Sequence, residues 1–362
     1  MRDEGIYWLS FSVFPGIGPS KFSLLLKHFG SAKNAWEASN PDFKKILGES
    51  LALKFDKFRN EFDPFEYARK LKEKDVWFLT LDDKNYPMLL GKITNPPFVL
   101  YGKGKLDFLN EKAIGVVGTR RTTQYGREVT RLLTSELIAA GFTIVSGLAI
   151  GIDAVSHRTA IENGGKTIAV LGCGVDCCNP STNQFLYNSI IQSDSCIVSE
   201  VPLGNAPTRG LFPARNRIIA GLSLGVLVTE GAEDSGSLIT ADYAFKNNRK
   251  VFAVPGPITS SLSKGPYKLL KKGARLVTRI EDILEELGID SRPRVKNKDL
   301  RIKKGETKEE KKILEVLENE DLYFDEIVKK TGISSQILGS TLSMMEVKGI
   351  IKNLGSLYSI ST

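Results

Sequence analysis

From residue 113 to residue 278 the chain alternates short apolar runs with longer stretches of helical periodicity. The runs fall at residues 113–118, 142–146, 167–171, 196–199, 226–229, 250–254 and 275–278. They are rich in Val, Ile and Leu, so the strands they form are buried on both faces. The stretches between them predict helices, among them residues 124–140 and 152–163. Strands buried on both faces and joined through helices build a largely parallel sheet covered on two sides. The expected fold class is therefore α/β: a Rossmann-like, doubly wound, mostly parallel sheet over residues 112–287.

Smaller units flank it. Residues 1–70 predict an N-terminal helical domain, in which Phe14-Pro-Gly-Ile-Gly-Pro-Ser-Lys21 leads into the apolar residues 22–29. Pro19 suits the first turn of the second helix, and the glycines allow a tight hairpin. This is the pattern of a helix-hairpin-helix or SAM-like unit, which presents backbone N–H groups to phosphate or serves as simple helix packing. Residues 71–111 are expected as a connector, with one strand near 76–81 and turn chemistry at Asn95-Pro96-Pro97. Residues 307–362 predict three helices (308–317, 324–330, 334–348) and a hairpin of 350–351 with 357–360, the winged-helix pattern. Its third helix carries one basic residue, at its end, so the unit reads as an interaction module rather than a major-groove reader.

Charge narrows the partners. Fifty basic against 42 acidic residues give a net charge of +8. The excess concentrates at residues 292–304, where seven basic side chains face one acid. Such a stretch cannot bury a core, so residues 288–306 are expected to be a basic linker, either a solvated spacer or a contact to nucleic-acid backbone. No apolar run approaches the roughly 18 residues of a membrane span. The start, Met1-Arg2-Asp3-Glu4, lacks a signal-type apolar stretch, and the expected location is cytoplasmic. Cys173, Cys177 and Cys178 form one cluster without a second pair, and with Cys196 they read as reduced thiols at strand ends, not a zinc site. No cofactor or metal is expected.

In a parallel sheet, ligands bind at the carboxyl ends of the strands. Gly118-Thr-Arg-Arg-Thr-Thr-Gln-Tyr-Gly126 follows the first strand. There Gly118 lets backbone approach a ligand, Thr119 offers a hydroxyl, and Arg120 or Arg121 supplies a bidentate phosphate contact beside a helix N-terminus. Ser146-Gly-Leu-Ala-Ile-Gly-Ile-Asp153, with Gly147, follows the second. Its spacing is wrong for a dinucleotide fingerprint, and no acid ends the next strand, which argues against NAD. Asp153 and His157 lie one turn apart and are expected to form a structural hydrogen bond. Arg215, Asn216 and Arg217 are placed at a helix start, where arginines oppose the dipole and so call for an anionic partner. Ser235, Gly236 and Ser237 form a turn aiming donors at the same edge. Gly165-Lys166-Thr167 mimics the end of a P-loop, but Ala160 replaces the required glycine and the triplet precedes a strand.

Together these loops resemble the DNA-processing protein A family (DprA, also called Smf). The matching stretches also include Thr167-Ile-Ala-Val-Leu-Gly-Cys-Gly-Val-Asp176, Ser199-Glu-Val-Pro202, residues 212–223, Ser235-Gly-Ser-Leu-Ile-Thr-Ala241 and Ala253-Val-Pro-Gly256. The resemblance implies an extended Rossmann-like domain that forms homodimers, and a non-catalytic protein. Such a protein binds incoming single-stranded DNA in natural transformation, protects it and loads RecA recombinase. The family's DNA contacts fall on Gly118-Thr119-Arg120 and Arg215-Asn216-Arg217. Two departures stand out. Asn179-Pro180 lacks the aromatic that relatives carry before the proline. Gly265-Pro266-Tyr267 replaces Gly-Thr-Asn, which removes one donor from the expected pocket rim. The alternative is a nucleotide-binding enzyme or sensor similar to phosphoribohydrolases, using Glu200 and Glu230 as a carboxylate pair. The glycine run of those enzymes is missing from residues 231–237.

Overall fold

The computed structural model describes residues 3–208, 210–289, 307–317, 321–354 and 357–360. The chain divides into two compact units, Met1–Arg292 and Pro293–Thr362. Of the basic linker expected at 288–306, residues 290–306 lie outside the described residues.

The first unit is organised by nine strands: β1 (Trp77–Thr80), β2 (Val99–Gly104), β3 (Ala113–Val117), β4 (Thr143–Ser146), β5 (Thr167–Val170), β6 (Cys196–Ser199), β7 (Gly225–Val228), β8 (Lys250–Ala253) and β9 (Arg275–Leu276). They pair in the order β1-β2-β6-β5-β4-β3-β7-β8-β9. Every pair from β6 to β9 is parallel, while β1/β2 and β2/β6 are antiparallel. All residues of β3 to β7 are buried, as their aliphatic character on both faces requires. This is a doubly wound, Rossmann-like α/β sheet. From β3 the chain steps outward through β4, β5 and β6. It then returns along the helix Leu211–Leu222 to lay β7 on the other side of β3. That reversal opens a crevice at the carboxyl ends of β3, β4 and β7.

Two expectations change here. Residues 71–111 are not a connector, because β1 and β2 extend the sheet at its edge. Nor do residues 1–70 own a separate core. The helices Asp3–Val13, Pro19–Phe29 and Glu49–Glu61 bury Phe11, Phe22 and Phe55 in a cluster that continues into Phe98, Val99 and Tyr101 of the sheet edge. Phe22 stacks on Phe98 with ring centroids 4.2 Å apart, and Ser12 Oγ meets the buried Tyr101 hydroxyl at 2.5 Å. An apolar face of this size must be covered, and the helices cover it.

The second unit packs the helices Lys308–Leu317, Phe324–Thr331 and Ser335–Val347 around Ile313, Ile327, Leu338, Leu342 and Met345. Beside them lies a sheet of β10 (Leu322–Tyr323), β11 (Ile351–Leu354) and β12 (Leu357–Ile360), in the order β10-β12-β11. Among the described residues no helix is long and apolar enough to cross a membrane.

Candidate functional site

The crevice at the reversal is a cavity of about 610 Å³. Its floor is the turn after β3. Gly118 is required there, because a Cβ would stand 2.5 Å from Ile152 Cγ1 and 2.7 Å from the Glu230 carbonyl oxygen. The Thr119 N–H donates to that same carbonyl at 2.7 Å, and the Thr119 carbonyl accepts from Ile152 N at 3.1 Å. These bonds clamp the turn between the loops after β7 and β4 and leave Arg120 and Arg121 projecting into solvent. Among the described residues neither guanidinium pairs with a carboxylate. Arg120 instead lies over the Phe212 ring, 5.9 Å from its centroid.

The helix Gln124–Ala139 does not offer its N-terminus to a ligand as expected. Thr123 caps it by accepting from Gly126 N at 3.0 Å, and the buried Glu230 accepts from Thr123 N at 3.0 Å and from Thr123 Oγ1 at 2.7 Å. The positive end of that helix already holds a protein carboxylate.

The returning helix supplies the deepest charge. It begins at Leu211, so Arg215, Asn216 and Arg217 sit in its second turn and not at its start. The helix dipole therefore calls for no anion at these residues. Burial replaces it: Arg215 is 6% exposed, with Nη1 donating to Val170 O at 2.5 Å and Nε buried without a partner. Gly147 makes room for it, since a Cβ there would lie 1.8 Å from Arg215 Nη1. Asp153, also buried, accepts from Gly147 N at 3.1 Å and from Ala149 N at 3.4 Å. Burial raises the Asp153 carboxyl above its ordinary value, against the pull of the Arg215 cation. Burial likewise pulls Arg215 down, with Asp153 opposing and Arg120 adding to the fall. Arg215 thus lines the crevice as a desolvated cation with one N–H unpaired.

Asn216 Nδ2 donates to Gly236 O at 3.2 Å and ties this helix to the Ser235-Gly236-Ser237 turn. That turn lines the far wall, with the Ser235 and Ser237 hydroxyls 2.8 Å apart. Asp234 also lines the cavity, so three arginines face two carboxylates, one of them set against Arg215. Gly118, Thr119, Arg120, Arg121, Arg215, Asn216, Ser235, Gly236 and Ser237 thus share one crevice, and Gly147 lines a side recess of about 190 Å³ with Arg120 and Arg215.

Arg217 does not join them. One helical residue turns the side chain by about 100°, so two residues carry Arg217 to the opposite side from Arg215. There it forms a bidentate pair with Glu200 at 2.7 and 2.6 Å, and its Nε donates to Asn95 O at 3.1 Å. The Glu200–Glu230 carboxylate pair does not form either. The two residues follow β6 and β7, four strand spacings apart in the sheet, about 19 Å at some 4.8 Å per spacing. Asp153 and His157 do not bond each other. His157 Nδ1 meets Thr167 Oγ1 at 2.6 Å, and burial lowers its pKa to about 3, so it stays neutral. Gly265-Pro266-Tyr267 is not on the rim. Gly265 N donates to Gly231 O at 2.9 Å and the Tyr267 hydroxyl to Gly256 O, behind the serine turn. Sequence reasoning missed Phe212 and Asp153 as lining residues. An aromatic three residues before Arg215 was the available signal for the first.

A family model described as DNA recombination-mediator protein A matches residues 77–288. The chain is 41% identical over 293 residues to protein Smf of Synechocystis sp., covering 79% of this chain and 73% of that protein. The X-ray structure of DNA processing protein A from Streptococcus pneumoniae matches with a TM-score of 0.70 at 36% identity, over 79% of this chain and 98% of that one. A Helicobacter pylori DNA processing protein A structure, described for its single-stranded DNA binding mode, matches with a TM-score of 0.53 at 30% identity, over 59% and 95%. With more than half of its length matched by the family model, the chain belongs to the DNA recombination-mediator protein A family, the DprA/Smf proteins.

Proposed function

We propose that the crevice binds single-stranded DNA by its phosphate backbone, without catalysis. The observation that carries this reading is Arg215, a buried guanidinium with an unpartnered N–H, set below the free Arg120. A polyanion satisfies both, and neither group reads base identity. Arg120, Arg121 and Arg215 are the assigned phosphate ligands, with Gly118 and Gly147 giving room and the Ser235 turn adding hydroxyls. Glu200 and Glu230 are each committed to a structural partner, which speaks against a carboxylate-driven reaction. The Helicobacter pylori relative, described for its single-stranded DNA binding, supports the ligand class.

In this reading the protein works in the cytoplasm as a homodimer through its Rossmann-like domain. It protects incoming strands in natural transformation and loads RecA recombinase onto them. The second unit acts as a winged-helix interaction module, because its third helix exposes Ile337, Met344 and Val347 rather than cations. A cavity of about 610 Å³ also suits a single nucleotide, which keeps a nucleotide sensor as the second reading. Titration of labelled single-stranded and duplex DNA at several salt concentrations decides between them. Three phosphate contacts give a log–log slope near −2, at about −0.7 per contact. A slope near zero, or displacement of DNA by nucleoside monophosphate at equal concentration, refutes the strand-binding reading.

A further inference from the structure

Three of the four cysteines, Cys173, Cys177 and Cys178, lie in the loop after β5. All four cysteines are free, with Cys173 buried and Cys177 and Cys178 half-exposed. A turn folds the loop back on itself, the Cys177 N–H donating to Gly174 O at 2.9 Å. The Cys173 thiol in turn donates to the Cys177 carbonyl at 3.2 Å, so its sulfur already rests on the Cys177 backbone. A buried thiol set against a half-exposed one four residues away is the arrangement of an attacking and a resolving cysteine. Among the described residues no three such side chains are placed to hold a metal ion.

The same loop builds the crevice wall. Asn179 and Pro180, directly after Cys178, line the side recess with Arg120, Gly147 and Arg215. Upstream the loop is pinned, Ser199 Oγ donating to Cys173 O at 2.7 Å. Downstream Asn183 Nδ2 donates to Leu148 O at 2.8 Å and ties it to the loop after β4. The segment before Cys177 is held as well, Val175 O accepting from the Tyr187 hydroxyl and the Asp176 carboxylate from Gly204 N, so movement at Cys177 passes down the chain to Cys178, Asn179 and Pro180.

We propose that Cys173 and Cys177 are a redox-modified pair, oxidised by a hydroperoxide to a disulfide that shifts the Asn179–Pro180 wall and weakens strand binding. The effect on binding rests on the DNA reading above; the disulfide itself does not. In the first step the Cys177 thiolate attacks one peroxide oxygen, forming an S–O bond as the O–O bond breaks and hydroxide or alkoxide leaves. Cys173 then attacks the Cys177 sulfur, the S–S bond forms, and water departs with the Cys173 proton. The two sulfurs lose two electrons and the peroxide gains them. Burial, reinforced by Cys177, pushes the Cys173 thiol up to about 12, which keeps it protonated and leaves the first attack on peroxide to Cys177; its resolving role rests on its sulfur lying against the Cys177 backbone. Burial also pushes the Cys196 thiol well above its ordinary value, so it serves as an internal unreactive reference.

The test treats the full chain with hydrogen peroxide, alkylates the remaining thiols and maps the peptides by mass. Affinity for a labelled oligodeoxythymidylate is read before and after, and again with dithiothreitol. The expected result is a Cys173–Cys177 crosslink, with Cys178 and Cys196 alkylated. Affinity should fall about tenfold, the worth of one charge-assisted hydrogen bond, and recover on reduction. Cys177→Ser should keep its affinity through peroxide, whereas Cys178→Ser should lose it like the parent. Alkylation of both Cys173 and Cys177, a link to Cys178, or unchanged affinity of the crosslinked protein overturns the proposal. Failure of the reduced protein to bind the oligonucleotide overturns the DNA reading instead, and the peptide map then still decides the disulfide.

Discussion

Arg215 has two roles in the structure, and a double-mutant cycle with Asp153 separates them. Arg215→Met keeps the length of the side chain and removes its charge. Asp153 then remains buried, 7% exposed, with the amides of Gly147 and Ala149 as its hydrogen-bond donors and no cation beside it. Asp153 and Arg215 attract each other without a direct hydrogen bond, so removing the cation should cost less than the roughly 3–5 kcal/mol of a broken contact pair, whereas replacing both by neutral groups is near neutral. Asp153→Asn combined with Arg215→Met should therefore recover most of the lost stability, measured by urea denaturation. Strand binding should not recover. A hydrogen bond to a charged group contributes about 1.5–3 kcal/mol, so the dissociation constant should rise roughly 10- to 150-fold in both variants. The salt slope should become shallower by about 0.7 in both. A double variant that regains binding along with stability would mean that Arg215 acts only through the fold. A single variant that unfolds at the parent urea concentration would sink the coupling to Asp153.

Arg120 and Arg217 should behave oppositely. Arg120→Ala is expected to reduce the salt slope by about 0.7 without a change in urea midpoint. Arg217→Ala should leave the slope intact and destabilise the fold by about 1–2 kcal/mol, because its bidentate partner Glu200 is left half-buried. An equal loss of salt slope in both variants contradicts the placement of Arg217. His157 gives a pH signature. Its folded pKa of about 3 lies below the ordinary 6.5, so the unfolded chain takes up the proton first and stability falls as pH drops below about 6.5. At pH 5 the deficit is about 2 kcal/mol for a shift of this size. His157→Gln should flatten that part of the stability curve, and an unchanged acid limb refutes the assignment. Asp153 works in the opposite sense. Its raised folded pKa favours the fold at low pH, and that contribution fades as pH climbs above the ordinary value of 3.8. Gly265→Ala should weaken the serine turn, because its Cβ would stand 2.5 Å from Gly231 O. Proteolysis that cuts the parent and this variant at equal rates argues against it.

Much of this molecule is legible in the chain itself. The both-face burial of residues 113–117, 143–146 and 225–228 demands a covered parallel sheet, and such a sheet places its loops at one edge. Gly118, Gly147 and the arginines were recognisable because a crevice for an anion needs small residues and cations at strand ends. What sequence could not supply was direction and occupancy. The helix carrying Arg215 begins at Leu211, and only its packing against Val170 sends Arg215 inward while Arg217 turns to Glu200. Glu230 fills the helix N-terminus that looked free for phosphate, a contact 107 residues apart in the chain. Residues 71–111 read as a connector although the strand near 76–81 was legible, because Val99–Gly104 ends in Gly-Lys-Gly and only its antiparallel pairing with β6 draws the segment into the sheet. Local pattern thus determined which elements form and where a ligand edge must lie. The tertiary structure decided which charges are spent on the fold and which are left for a partner, because that depends on neighbours remote in sequence.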